Sequence, residues 1–477
     1  MTARPLGLVW VFCLVALGPL PFLDRVLNDP DTYWHVASGL LILDGGGIPD
    51  RDVFSHTVAG RSWVLHEWLA QAVMAACYRA GGWPAVALLA PLAAAAAMVL
   101  LVRHLGRSLD WPQMVISVLL ALLLLLPHLL ARPHVLAWPL MVWWTSELLR
   151  AAEGRATPPW GLLPVMTLWA NLHGSFLLGL GLGGFIAAES AFEHWRREGR
   201  LAPPWLWAAF LALAVAAACL TPDGPARFRY VLEVMGQSVQ LGTIAEWKSP
   251  DFQKFEPLQV WLFAALGVAL LTGLRLPWTR IVVLLGLLHL ALRHVRYGEL
   301  VGLLAPLFLA GPLAANLRPG AKAPLSRPAL LLRLSRPLPV VVCLAVMALA
   351  MHAAIRSNIQ PAPRHSPVAA LAAVQAAGIG GPVLNEYGFG GYLIHAGVPT
   401  FIDGRSDLYG DSFLAEYAAA TDLTRRGALP ALLNRYGIAW TLLPAALPAA
   451  SLLDHLPGWR RLYADERAVV HVRDDPP

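Results

Sequence analysis

The chain has 477 residues, of which 57% are hydrophobic and only 14% charged, and its mean hydropathy is +0.56. Soluble domains carry about 25% charged residues, so composition excludes an ordinary water-soluble enzyme and makes lipid the main solvent. The formal charge of +6 does not signal nucleic acid, because the Lys and Arg sit in short loops between apolar runs, where they report topology.

A membrane span needs about 20 apolar residues. Candidate stretches fall in order near 6–23, 83–102, 111–129, 134–150, 157–172, 174–194, 203–220, 258–275, 278–293, 299–316 and 337–355. They predict a polytopic α-helical membrane protein of about eleven transmembrane helices. Arg4 before the first apolar run has signal-peptide character, but no clear small-x-small cleavage site stands out and many further spans follow, so this run reads as a retained span. With the N-terminus cytoplasmic, the basic residues fall on inward turns: Arg103 with Arg107, Arg150 with Arg155, the run Arg196 to Arg200, Arg275 with Arg280, and Arg318 to Arg336. An odd span number then places the C-terminal domain outside, periplasmic or extracellular, with the spans in the plasma (inner) membrane. Pro-rich segments between 132 and 174 suggest broken or half-length helices. Cys13, Cys77, Cys219 and Cys343 lie in apolar or amphipathic segments without paired spacing and read as small hydrophobes.

This topology gathers the unusual polar residues on the outer face: Asn28 to His35, His66-Glu67-Trp68, Arg132-Pro133-His134, Asn171 to Gly174, Glu246-Trp247-Lys248 and Arg293 to Tyr297. Ionisable groups near membrane depth are costly, so they line cavities, pair with one another or meet a substrate. The first outer loop, 24–82, is too long for a connector, and 31–43 and 66–80 have the periodicity of amphipathic helices lying along the membrane surface. Asp29 and Asp31 offer a general base or oxygen ligands for a cation, and equally a helix N-cap. His66 and Glu67 open a helix whose dipole favours an acidic first turn whatever the function. His173 at a helix break suits phosphate or released backbone groups. Arg132, Arg293 and Arg296 suit an anionic headgroup or snorkelling to the interface. No zinc-peptidase, P-loop or serine-hydrolase signature occurs.

From about Arg356 the composition changes. A Pro-rich linker, 360–367, leads into alternating patterns: helix 366–377, strand 381–385, helix 388–395, strand 399–402, helices 411–420 and 426–436, strand 438–443, helix 446–455, and strands near 460–463 and 467–472. The organisation is thus a multi-span domain, 1–355, with a structured first outer loop, and a small extracytoplasmic α/β domain, 356–477. Its polar segments, Asn385 to Tyr392 and Phe401 to Asp411, follow predicted strands, where α/β domains carry their sites. Turn formation and local pairs of Asp403 with Arg405 or Asp407 account for the same residues. The Gly388-Phe389-Gly390-Gly391 cluster lacks dinucleotide spacing and reads first as a turn or close-packing site.

The arrangement of an acidic Asn28-Asp29-Pro30-Asp31 just after the first span, with Tyr33-Trp34-His35 behind it, resembles the GT-C superfamily of membrane glycosyltransferases, which includes protein O-mannosyltransferases, aminoarabinose transferases and oligosaccharyltransferase catalytic subunits. Glu386-Tyr387-Gly388 looks like a degenerate form of the oligosaccharyltransferase Trp-Trp-Asp-Tyr-Gly motif, without the two Trp and with Glu for Asp. No Asp-x-Asp stands in the second outer loop, where Arg132-Pro133-His134 occurs. The resemblance implies transfer of a sugar from a polyprenyl-phosphate-linked donor to an acceptor (protein, lipid or glycan) on the outer face. It makes Asp29, Asp31 and Glu67 catalytic candidates, with Asp29 as base. His35, His66, Arg132, His134, His173, Arg293, Arg296, Glu386, Tyr387, Asp403 and Arg405 become substrate-binding candidates, and Asp29, Asp31, His66 and Glu67 candidate ligands of a divalent metal, Mg or Mn. The C-terminal domain would serve as lid or acceptor platform. A transporter or flippase of a lipid-linked or anionic substrate, or a non-catalytic scaffold, fits the same buried charges. The absence of an obvious repeat and the grouping of polar residues at one face favour surface chemistry.

Overall fold

The computed structural model of the chain describes residues 4–19, 22–154, 157–198, 205–235, 245–317, 337–356 and 359–474. Arg155, Gly199, Arg200 and the basic loop 318–336 lie outside the described residues. By internal contacts the chain forms two compact units: 1–22, 88–227 and 244–357 in one, and 23–87, 228–243 and 358–477 in the other.

The first unit is helical. Helices Arg4–Leu17, Trp111–Leu125, Pro133–Glu153, Leu163–Leu172, Phe176–Glu198, Trp205–Ala218, Pro257–Thr272, Trp278–Arg293, Gly298–Leu317 and Pro337–Arg356 occupy the expected stretches. The remaining stretch is the second half of Trp68–Leu105, a helix interrupted by non-helical Gly81 and Gly82. Leu163–Leu172, in the Pro-rich region, is a short helix of 10 residues. Among the described residues four segments are long and apolar enough to cross a membrane: Trp68–Leu105, Trp111–His128, Phe176–Arg196 and Val295–Leu317. Large apolar side chains such as Phe263, Leu270 and Leu271 point outward from Pro257–Thr272, as expected where the surroundings are hydrocarbon.

Helices in lipid associate through close packing, and small residues permit it. A Cβ on Gly302 would come within 2.8 Å of Leu125 and 3.0 Å of the Ala121 carbonyl, so this glycine lets Gly298–Leu317 press on Trp111–Leu125. Gly179 likewise receives the Trp169 ring, and its carbonyl accepts the Trp144 indole N–H at 2.8 Å. Arg280, expected as a topology charge, is instead buried: it donates to Glu189 at 3.2 Å, to Glu153 at 2.6 Å and to the Phe308 carbonyl at 2.9 Å. A lone guanidinium is expensive among apolar helices, and two carboxylates offset that cost.

The second unit is built on a four-stranded sheet in the order β1-β2-β4-β3, with β1 Val383–Asn385, β2 Trp440–Leu443, β3 Trp459–Ala464 and β4 Val469–Arg473. β1 and β2 are parallel, and the other pairs antiparallel. Alternation sends Val383, Trp440 and Leu442 to one apolar cluster, with Ala370, Leu371 and Val374, and Leu384 and Leu443 to the other. That second cluster also contains Trp34, Trp63 and Leu65, so the first outer loop supplies part of the same core. The helix Asp31–Leu41 is correspondingly buried over Asp31 to Val36, Ser38 and Gly39, where a membrane-surface helix had been expected.

The expected strand 399–402 does not join the sheet. Thr400 pairs with the outer loop, donating to the Phe54 carbonyl and accepting from the His56 N–H, both at 3.0 Å. Asn385 holds the next two residues, its Oδ1 accepting the Phe401 N–H at 2.8 Å and its Nδ2 donating to the Ile402 carbonyl at 2.7 Å. The backbone is satisfied, as burial requires, by partners distant in sequence.

The Gly-rich cluster is a close-packing site. A Cβ on Gly391 would lie 2.2 Å from the Pro30 carbonyl oxygen, and one on Gly390 2.4 Å from that of Ile402. Gly391→Ala should therefore force the backbone apart and cost about 1–3 kcal/mol, seen as a lower thermal-unfolding midpoint of the purified full chain; an unchanged midpoint would refute the close approach.

Candidate functional site

In the second unit the acidic pair begins the helix Asp31–Leu41. Asp29 Oδ1 accepts the Asp31 N–H at 2.8 Å in a local turn, while the N-cap position expected for an acidic residue is held by Pro30 without a side-chain cap, and both carboxylates are buried. The Asp31 carboxylate lies against Gly404: a Cβ there would sit 1.8 Å from Asp31 Oδ1 and 2.9 Å from Trp34 Nε1. Tyr387 donates from its hydroxyl to the Gly404 carbonyl at 3.2 Å. Asp31 and Tyr387, 356 positions apart in number, therefore meet on one glycine.

One turn beyond Asp31, His35 Nδ1 is 3.1 Å from Gln71 Nε2 and 4.0 Å from Glu67, while His66 Nε2 is 3.7 Å from Glu67 on its other oxygen. Glu67 thus lies between two imidazoles. The His66 ring is 5.1 Å from that of Tyr230, whose hydroxyl donates to Asp407 at 2.5 Å. Asp407 belongs to the polar segment Phe401 to Asp411, whereas Gln71, one helical turn after Glu67, and Tyr230 were not singled out. Burial pushes the Glu386 carboxyl up, and the Gly388 and Phe389 N–H groups it accepts pull against that shift.

Among the described residues no three His, Cys, Asp or Glu stand close enough to hold a metal ion. The donor chemistry of Asp29, Asp31, His66 and Glu67 suits a divalent cation, but among the described residues they do not come together as a three-ligand set.

Asp403 and Arg405 form a brace. Arg405 donates to Asp403 Oδ1 and Oδ2 at 2.7 Å and to Asp52 at 2.6 Å, with its guanidinium 4.7 Å from the Trp63 ring and 5.2 Å from that of Phe54. Tyr409 and Thr400 also donate to Asp403. Burial alone would raise the Asp403 pKa, but Arg405 outweighs it and holds the carboxyl below its usual range. Both residues are at most 1% exposed, a geometry suited to tying the outer loop to the 400–409 segment rather than to touching a substrate.

The first unit holds a second polar cluster. Arg132, immediately before Pro133–Glu153, donates from Nη1 to both Glu246 oxygens at 2.8 and 2.9 Å. Glu246 lies in the turn Ala245–Trp247, whose Trp247 ring receives the Arg296 guanidinium at 4.4 Å. His134 Nε2 is 3.5 Å from Glu299, and its ring is 6.2 Å from that of His173. His173 Nδ1 accepts the Ser175 N–H at 3.1 Å, which leaves the proton of a neutral ring on Nε2. Arg293 is exposed, and its carbonyl accepts the Ser249 hydroxyl at 3.2 Å. Glu246 and Trp247 were noted as polar outer residues without a role. Glu299 and His128 were not singled out, being embedded in apolar runs.

The helical first unit and the second unit, in which the long first loop folds with the C-terminal sheet, have a GT-C-like fold. Among solved structures it is similar to ArnT from Cupriavidus metallidurans bound to undecaprenyl phosphate, at 13% identity and TM-score 0.54 over 98% of each chain. It is also similar to the archaeal oligosaccharyltransferase AglB from Archaeoglobus fulgidus in complex with an inhibitory peptide and a dolichol-phosphate, at 11% identity and TM-score 0.54, over 92% of this chain and 69% of that one. No protein-family model and no curated protein sequence matches the chain.

Burial would raise the Glu246 pKa, but Arg132 and Arg296 outweigh it and hold it at about 2, against an ordinary 4.5. A depressed carboxyl stabilises the fold above its unfolded pKa and ceases to do so as pH falls through the folded one. The thermal-unfolding midpoint should thus fall between pH 4.5 and about 2, and less steeply in Glu246→Gln; equal slopes would show that the pair adds nothing.

Proposed function

We propose that this protein is an integral-membrane glycosyltransferase that moves a sugar from a polyprenyl-phosphate-linked donor to an acceptor on the outer face of the plasma (inner) membrane. The observation that carries the proposal is the likeness in fold over 98% of the chain to ArnT, whose structure holds undecaprenyl phosphate. The second neighbour, with dolichol-phosphate, supports the same class of donor. In this proposal the helices form about eleven spans, with the N-terminus cytoplasmic and the sheet domain outside.

The chemistry divides into two tasks. An acceptor hydroxyl or amine must be deprotonated or oriented, and the negative charge that grows on the departing phosphate must be stabilised. Asp29 is the proposed base: the Asp31 N–H fixes one carboxylate oxygen and thereby sets the direction of the other. Asp31 and Glu67, the latter flanked by His35 and His66, are the proposed orienting groups for the acceptor and sugar. Arg132 and Arg296, with His134 and His173 beside them, are assigned the phosphate, since guanidinium matches phosphate oxygens in geometry and charge. Glu386 and Tyr387 are proposed to face the acceptor. Arg293 contributes to anion attraction at the surface.

The test is transfer of label from a panel of radiolabelled polyprenyl-phosphate sugars in membranes containing the protein. Asp29→Asn should lower the transfer rate by about 100-fold or more while insertion and unfolding midpoint stay as in the parent chain. Arg296→Ala should raise the KM for the donor by about tenfold, the value of one charged contact. Transfer that ignores Asp29→Asn would remove the base assignment, and the absence of transfer from every donor would remove the donor class.

A further inference from the structure

Glu299 stands in the first turn of Gly298–Leu317 with its carboxyl buried, and its Oε2 has no hydrogen-bond partner. The basic group in reach of that oxygen is the imidazole of His134, whose Nε2 is 3.5 Å away. A buried carboxylate with an unsatisfied oxygen is a costly arrangement for a membrane helix to keep, and ionisable pairs at such depth commonly handle protons or charge. The groups that face this pair are Arg132 with its partner Glu246, Arg296, Tyr297, His173 with its ring 6.2 Å from His134, and His128, whose Nε2 lies 3.6 Å from where a Gly298 Cβ would be.

The charges of this cluster do not match both ends of the proposed reaction. Glu246 neutralises Arg132, so Arg296 supplies one net positive charge, enough for a phosphodiester donor, which carries one negative charge. The product is a phosphate monoester, which carries nearly two at neutral pH because its second pKa is about 6. We infer that His134 and Glu299 form a proton-accepting pair that takes up one proton as the monoester forms, restoring charge balance at the phosphate. This inference rests on the transferase function proposed above. In the step, the acceptor oxygen bonds to the sugar C1 and the C1–O bond to phosphate breaks, its electron pair staying on the phosphate oxygen. The acceptor proton goes to Asp29, the pair takes its proton from water, and both return to water when the lipid phosphate leaves.

The experiment is calorimetric titration of the detergent-solubilised full chain with undecaprenyl phosphate at pH 7.5, in two buffers of different ionisation heat. The parent chain should take up about one proton per lipid bound. His134→Gln should abolish that uptake and weaken binding about tenfold, and Glu299→Gln should change the uptake as well, which keeps the test open if one variant does not fold. Binding without proton uptake, or uptake that survives in both variants, overturns the pair and leaves the transferase proposal standing. Failure of the parent chain to bind undecaprenyl phosphate overturns both.

Discussion

The second unit depends on one buried cation. Arg405 is fully enclosed, and its charge is tolerable only because Asp403 and Asp52 accept its N–H groups while Trp63 and Phe54 present their rings to it. Removing one partner of such a group leaves an uncompensated charge, typically a loss of about 3–5 kcal/mol. Because Asp52 and Trp63 belong to the first outer loop, this cation ties that loop to the sheet-bearing segment. The position of Asp31 against Gly404, one residue before Arg405, follows from the same brace.

The same economy of charge operates among the helices of the first unit. Arg280 is held by Glu189 and Glu153 towards one end of its helix, and Arg132 by Glu246. Water is absent in hydrocarbon, so every polar group must find a protein partner or a ligand. Groups whose partnership is incomplete then stand out. Glu299, with one carboxyl oxygen unsatisfied beside His134, is the clearest example. The chemistry proposed for the protein makes use of this contrast: saturated pairs such as Asp403 with Arg405 serve the fold, and incompletely satisfied ones are available to a substrate.

Glycine plays a complementary part. Gly391, Gly404 and Gly302 each occupy a point where another segment's backbone or side chain approaches too closely for a Cβ. At Gly404 the approaching groups are Asp31 and Trp34 themselves, so the absence of a side chain there determines where the candidate carboxylate lies.

Hydropathy and length located the helices, because a 3.6-residue repeat buried in lipid leaves a continuous apolar run that needs no tertiary information. The strands at 383–385, 440–443, 459–464 and 469–473 were legible as short runs between turn residues, three of them apolar enough to be buried on both faces of the sheet. The acidic Asn28-Asp29-Pro30-Asp31 motif was also visible, and so was the GT-C-like architecture it suggested. What the sequence alone could not decide was partnership. Segment 399–402 looked like a strand but bonds to Phe54 and His56; a local Asp403–Arg405 pair was among the readings, but its link to Asp52 in the outer loop was not; Glu299 was hidden in an apolar run. Hydrogen bonds and ion pairs between residues hundreds of positions apart leave no periodic trace, since they depend on where the folded chain returns and not on what its neighbours are.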